Sequence, residues 1–341
     1  MKILIISNMY PSVQKPYSGI FVLNQFNYLK NELNQNVELY AMKRTFTSKI
    51  GSLVKYFKAF IGFFPYYFKK YDVIHVHFFY PLIILAVIYK FFHRKTKLVV
   101  TFHGTDISSF MNSNFSKFFF KKIINKCEVV ISVGQDLSDL IYSKLGRKSD
   151  YIISAGVDNK VFYKLENIEK SFDFIFVGSF IKRKGVDLFI EAIKKINNKE
   201  IKYCFVGSGE FNEKLIQLNT EFNVTVLHNK TQNELRELYN KSKFFVIPSR
   251  DEPFGLVATE AMFCGTPAIV SEAGGLKAQV QNGENGYVVK IDSIDDLVSK
   301  LKLAYNINDE NYFLLSQNAL VSNKEHSLES ICNKIYSIYK Q

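Results

Sequence analysis

The sequence predicts an α/β protein built from two doubly wound domains, and three observations carry that expectation. Short apolar, β-branched runs recur along the whole chain, each bounded by turn residues and followed by a stretch with helical spacing. That is how strands of a parallel sheet covered on both faces read. The length of 341 residues is large for one core when domains run to about 150 residues. The composition, 47% hydrophobic and 22% charged, is that of a soluble globular chain.

Taken in order, "KILIIS", "VELYAM", "DVIHVHF", "KLVVTF", "VVISV" and "YIISA" read as the strands of the first half. "FDFIFVG", "KYCFVG", "VTVLH", "FFVIPS", "PAIVS" and "GYVVK" play the same part in the second. Between the sets, "GVDNKVFYKLENIEKS" loses apolar periodicity and gains charge, so the domains are expected at 1–165 and 166–324. The last segment, 325–341, carries a stripe at Leu328, Ile331, Ile335 and Ile338 that must be covered, and a return to the first domain is one way to cover it.

Other classes are disfavoured. Four apolar residues before Ser7 are too few for a secretory signal, and "FFYPLIILAVIYKFF" is interrupted by Pro81 and Lys90 short of the ~20 residues that span a bilayer. It reads as a buried helix. Cys127, Cys204, Cys264 and Cys332 are scattered, which suits packing thiols in a reducing compartment rather than a disulfide framework or zinc knuckle. There is no solenoid repeat and no low-complexity tail.

The formal charge of +12 sits in one half: residues 1–165 hold 23 Lys and Arg against 9 acids, while 166–341 hold 21 against 23. A basic half suggests an anionic partner, whether nucleic acid, an anionic membrane surface or a phosphorylated substrate. Within it "KYFKAFIGFFPYYFKKY", Lys55 to Tyr71, mixes lysines with aromatics as an interfacial segment does, although a helix and loop packed on the first domain, broken at Pro65, would read the same way.

The chemistry concentrates in the second half. A helix with Val186, Phe189, Ile190 and Ile193 on one face starts near Lys184-Gly185, just after the strand ending in Gly178 and the cations of "IKRKG". Free N–H groups and the positive end of the dipole make such an N-terminus an anion site. "CFVGSGE" supplies Gly207 and Gly209 but lacks the third glycine of a dinucleotide fingerprint, so it supports only a tight turn near a ligand. In "EPFGLVATEAMFCGTPAIVSEAGG" a second helix begins at Gly255, with Glu252 in the loop before it and Glu260 about one turn inside. Either acid alone reads as an ordinary surface or helix-dipole group. Together they flank one anion-binding bend. In the first half "TFHGTD" puts His103, Gly104 and Asp106 just past a strand end, where ligands bind in open α/β sheets, while His75 and His77 inside a strand read as core groups. No cluster has metal-ligand spacing, and no G-x-S-x-G elbow offers a serine nucleophile.

Taken together, "VGSFIKRKGVDLFIEAI", "FVGSGE", "ELYNKSKFFVIPSRDEPFGLVATEAMFCGTPAIVSEAGGL" and "NGYVV" resemble glycosyltransferase family 4, retaining enzymes of the GT-B fold. "YSGIFVLNQFNYL", "DVIHVHF", "TFHGTD", "ISVG" and "GVDNKVF" extend the resemblance over most of the chain, and the E-x7-E segment is its most specific part. The resemblance implies two Rossmann-like domains facing across a cleft, with a nucleotide-sugar donor held mainly by the second. Glu260 matches the acid that holds the ribose, Glu252 the acid near the donor sugar, and Phe254, Gly255 and Leu256 the bend that meets sugar and diphosphate. Lys184 matches the phosphate-binding lysine, His103 the histidine facing the reacting sugar, and Gly19 a glycine of the first loop; Gly178 and Gly207 fall on the donor side and Asp106 on the acceptor side. Two positions depart from the pattern: Ser179 stands where many members have Arg, leaving Arg183 as the candidate second cation, and Ser18-Gly19 replaces a double glycine.

The implied activity is metal-independent transfer of a hexosyl group, with no cofactor, from a nucleotide sugar to a glycan or lipid-linked glycan. An α linkage is expected, in cell-surface polysaccharide synthesis, with a cytoplasmic or peripheral membrane location and no nucleic-acid partner. The alternatives are a non-catalytic GT-B scaffold, a polyanion- or membrane-binding partner subunit, and a nucleotide-sugar epimerase.

Overall fold

Alternating strands and helices cannot bury their apolar faces singly, and the chain solves this with two parallel sheets, each wrapped by helices. The computed structural model describes residues 1–11, 18–42, 49–104, 107 and 114–341; at 49–55 and 114–116 it describes backbone alone. The chain forms two compact units, Met1–Gly156 with Leu328–Gln341, and Val157–Ser327. The division falls before the expected 165/166 because Val157 and Phe162 already belong to the core of the second unit, and the Val157 N–H donates to the His326 carbonyl.

The first unit contains β1 (Lys2–Ser7), β2 (Asn36–Ala41), β3 (Val73–His77), β4 (Lys97–Phe102), β5 (Val129–Ser132) and β6 (Tyr151–Ile152). They form one parallel sheet in the order β2-β1-β3-β4-β5-β6. One face is covered by helix Ile20–Asn27 and by the last helix, Leu328–Lys340, whose Ile331, Ile335, Ile338 and Tyr339 pack with Ile3, Ile5, Val22 and Leu29. Right-handed crossovers put helices Lys49–Phe63 and Ile83–Phe92 on the opposite face. The apolar stretch ending at Phe92 is only half buried: Ile83, Leu85, Ala86 and Tyr89 face the core, whereas Phe91 and Phe92 are exposed.

The second unit contains β7 (Phe172–Val177), β8 (Tyr203–Val206), β9 (Val224–Leu227), β10 (Ser242–Ile247), β11 (Ala268–Ser271) and β12 (Gly286–Val289), ordered β12-β11-β10-β7-β8-β9 and parallel throughout. The strand order reverses between β7 and β10, so the loops leaving their carboxyl ends open a crevice where open α/β sheets bind ligands. Val186, Phe189, Ile190 and Ile193 of helix Val186–Ile196 are all buried on this sheet. All four cysteines are buried. Among the described residues no helix is long and apolar enough to cross a membrane.

Candidate functional site

At the β7/β10 switch point two loops are bound together by charge. After β7, Lys182–Lys184 makes one turn of 3-10 helix, and Gly185 then opens helix Val186–Ile196. After β10, the chain runs through Arg250 and Glu252 to Gly255, which opens helix Leu256–Phe263. Lys184 Nζ and Glu252 Oε2 form a close ion pair between the loops, both side chains largely buried. Arg250 ties the same loops a second time, with its guanidinium bidentate on Asp187 at 2.7 and 2.8 Å and its Nε on Asp292 at 2.6 Å. Arg183 stays partly exposed, donating to the Asp251 carbonyl at 3.0 Å. Gly185 is required here: it has a φ of 72°, and a Cβ would stand 1.9 Å from the Pro248 carbonyl oxygen. Neither helix has a side-chain cap, so the first N–H groups of both are left free for an anion beside Arg183 and Lys184.

The bend between the two acids is held from behind. Gly275 donates its N–H to the Glu252 carbonyl at 3.1 Å, and a Cβ on Gly274, whose φ is 50°, would lie 2.0 Å from that same oxygen. The paired glycines therefore let one loop lie against the other. Gln279, fully enclosed, donates to the carbonyls of Phe254 and Gly275 and accepts from Thr259 Oγ1 at 2.6 Å. Phe254 is buried with its ring edge-on to His326 at 5.0 Å. Glu260 accepts from the Tyr239 hydroxyl at 3.1 Å and keeps part of its surface open to solvent. Desolvation of the carboxyl nevertheless pushes its pKa up to about 8, against the opposing pull of that hydrogen bond.

In the first unit the carboxyl ends of β3 and β4 carry a different chemistry. His77 Nδ1 and His103 Nε2 share a hydrogen bond at 3.1 Å, and the His103 ring is flanked by Phe21 and Phe78 at 4.7 and 4.5 Å. Burial, with His77 adding to it, holds His103 well below the ordinary imidazole range, and burial takes His77 down to about 3. Both rings are neutral at physiological pH. His77 Nε2 and the nearby Asn8 Oδ1 are buried with no hydrogen-bond partner among the described residues. Gly19 opens helix Ile20–Asn27 with φ 74°.

The signature described as "Glycosyl transferases group 1" matches residues 158–323, and "Glycosyltransferase Family 4" matches residues 30–160. The chain belongs to glycosyltransferase family 4. It is 27% identical to an uncharacterised glycosyltransferase of Methanocaldococcus jannaschii over 99% of both chains. It is 28% identical to N-acetyl-alpha-D-glucosaminyl L-malate synthase of Bacillus anthracis over 64% of this chain and 61% of that one. Among solved structures, sucrose-phosphate synthase from Thermosynechococcus elongatus superposes with a TM-score of 0.79 at 20% identity, covering 100% of this chain and 99% of that chain. Anabaena Alr3699/HepE in complex with UDP and glucose superposes at 0.76 and 18%, covering 100% of both. The fold is thus the two-domain GT-B fold.

In this family 4 transferase the second unit brings Gly178, Ser179, Arg183, Lys184, Gly207, Glu252, Phe254, Gly255 and Leu256 to the carboxyl edge of one sheet, with Glu260 following in the helix. Ser179 is exposed, and the Gly207 loop lies beside Gly178, whose N–H donates to the Val206 carbonyl at 2.9 Å. His103 and Gly19 stand in the first unit, and Asp106 lies outside the described residues. Sequence reasoning missed Arg250, Gln279, Tyr239 and the part played by His77. Arg250 left a trace, a cation two residues before Glu252, whereas nothing local marks Gln279 or Tyr239 as partners of the bend.

Proposed function

We propose that the transferase moves a hexosyl group from a nucleoside-diphosphate sugar to a glycan or lipid-linked glycan, with retention and an α linkage, in cell-surface polysaccharide synthesis on the cytoplasmic side of the membrane. The observation that carries this reading is the Lys184–Glu252 pair set between two uncapped helix N-termini at the β7/β10 switch point. Such a place suits a diphosphate. Lys184, Arg183 and the N–H groups would take up the negative charge that grows on the phosphate as the bond from the sugar's anomeric carbon breaks, so that no metal ion need do so. The acceptor oxygen forms its bond to that carbon on the same face, and its proton passes to the departing phosphate oxygen. Glu260 would hold the ribose hydroxyls and Glu252 would attend the sugar. Neutral His103 would hydrogen-bond the sugar from the first unit, and Asp106 is assigned to the acceptor side.

Mass spectrometry of nucleotide release from a panel of UDP-, GDP- and ADP-sugars tests this. One donor class should be consumed by the native protein and spared by Glu260→Ala. Consumption of none, with no nucleoside diphosphate bound in calorimetry, would overturn the reading and leave the scaffold alternative standing.

A further inference from the structure

We propose that the outer face of helix Lys49–Phe63, the 3-10 turn Phe64–Phe68 and the end of helix Ile83–Phe92 is a membrane-docking surface that inserts aromatic side chains among anionic lipid headgroups. It adds a surface to the acceptor side of the proposed function, but vesicle binding needs no turnover, so either reading can fail alone.

The argument starts from helical spacing. Phe57, Ile61, Phe64 and Phe68 recur at intervals of four, three and four residues, which is one stripe. Ala59 and Phe63 already supply the buried face, with Phe63 packed on Tyr40 at 5.1 Å, so this second apolar stripe has no part in the core. The next helix adds to it. The His93 ring nitrogen Nε2 donates to the Tyr67 carbonyl at 2.9 Å, which ties the end of this helix to the 3-10 turn, and Phe91 meets Phe92 ring to ring at 5.4 Å. Phe57, Ile61, Phe64, Phe68, Phe91 and Phe92 are each between 59% and 75% exposed. Isolated exposed apolar residues are ordinary, but six on adjoining elements form a patch that water does not favour.

Charge selects the occupant. From Lys49 to Lys126 the sequence holds 13 Lys and Arg against 2 acids, and Lys58, Lys70, Arg94 and Lys95 are exposed around the aromatics. Aromatic residues ringed by cations match an interface of acyl chains beneath anionic headgroups, where the rings leave water and the lysine and arginine heads stay among phosphates. A second copy of the chain would bring this same positive ring against itself. A lipid-linked acceptor would be met at such a surface.

Co-sedimentation of the full chain with vesicles of about 30% phosphatidylglycerol in phosphatidylcholine, at ~0.1 M salt where the Debye length is about 10 Å, is the test. The native protein should pellet. Pure phosphatidylcholine should hold it at least ~10-fold more weakly, as the attraction of several cations to anionic lipid requires. Phe64→Ser/Phe68→Ser should lose binding by a similar ~10-fold while keeping its melting temperature and its release of nucleotide from the donor. No binding to anionic vesicles, binding unchanged in the double variant, or a native dimer that the double variant turns into a monomer would each overturn the proposal. Should Phe64→Ser/Phe68→Ser fail to fold, Lys70→Gln/Arg94→Gln/Lys95→Gln serves instead, with the same loss expected and unchanged binding counting against the proposal.

Discussion

The carboxyl ends of the two sheets are made of opposite materials. In the second unit the loops after β7 and β10 are fastened by ions: Lys184 to Glu252, and Arg250 to Asp187 and Asp292. In the first unit the ends of β3 and β4 present neutral imidazoles among phenyl rings, with His77 Nε2 and Asn8 Oδ1 buried without a partner among the described residues. A fixed array of charge stabilises a leaving diphosphate without reorganising, whereas a sugar ring that gains positive character needs hydrogen-bonding groups that do not repel it. The same topology thus supports two electrostatic environments, because strand ends fix position while loop residues fix charge.

The largest expected effect breaks the charged side. Lys184→Ala should lower kcat/KM by about 10²–10³-fold, the usual loss when one donor to a developing anion is removed. It should also destabilise the unit by several kcal/mol, of order ~3–5, because Glu252 is left buried without its partner. Those two losses are separable. Adding Glu252→Gln should return most of the stability, measured by denaturant melts, and none of the turnover. A double variant that works at the native rate would reduce Lys184 to a structural strut.

The neutral side gives a smaller and different signature. With His103 and His77 held neutral by burial, neither of these two rings should titrate in the free enzyme between about pH 5.5 and 7.5, a window that brackets the unperturbed histidine pKa of about 6.5. The profile of kcat/KM should therefore lack a limb near 6.5. A limb there that disappears in His103→Gln would mean that the ring is charged when free and that the two sheet ends are less unlike than they look.

How far the sequence discloses this contrast depends on the range of each interaction. Strands are local, and all twelve runs read as strands are strands in the structure, because a continuous apolar run and the turn residues that bound it act over about four to seven positions. Lys184, Glu252, Gly255 and Glu260 are legible for the same reason, since a helix start and a spacing of eight lie within one stretch of chain. Gly274 and Gly275 have no local meaning: their role is an approach to Glu252 and Phe254, some twenty residues back. Gln279 clamps the same bend through Phe254, and His77 is tied to His103 across two strands. Burial misled at Phe91 and Phe92, where an apolar run predicts a core helix and the fold covers only one side of it.

The smallest effect concerns Glu260, which is held by the Tyr239 hydroxyl rather than by an ion pair. Its carboxyl ionises near 8 in the folded chain and near the ordinary 4.5 once unfolded, so between those values the native state holds the extra proton. Stability contributed by the neutral carboxyl is complete below about 4.5 and is lost as pH rises through 8. Glu260→Gln cannot ionise and should be free of that loss. Denaturant midpoints of the two proteins should agree near pH 5 and diverge toward pH 8.5, with the variant the more stable, by a modest margin because solvent reaches part of the side chain and the Tyr239 hydroxyl favours the charged form. Parallel curves would show that the carboxyl is solvated in the folded chain. A ribose gripped by this acid would then be held at the surface of the crevice rather than within it.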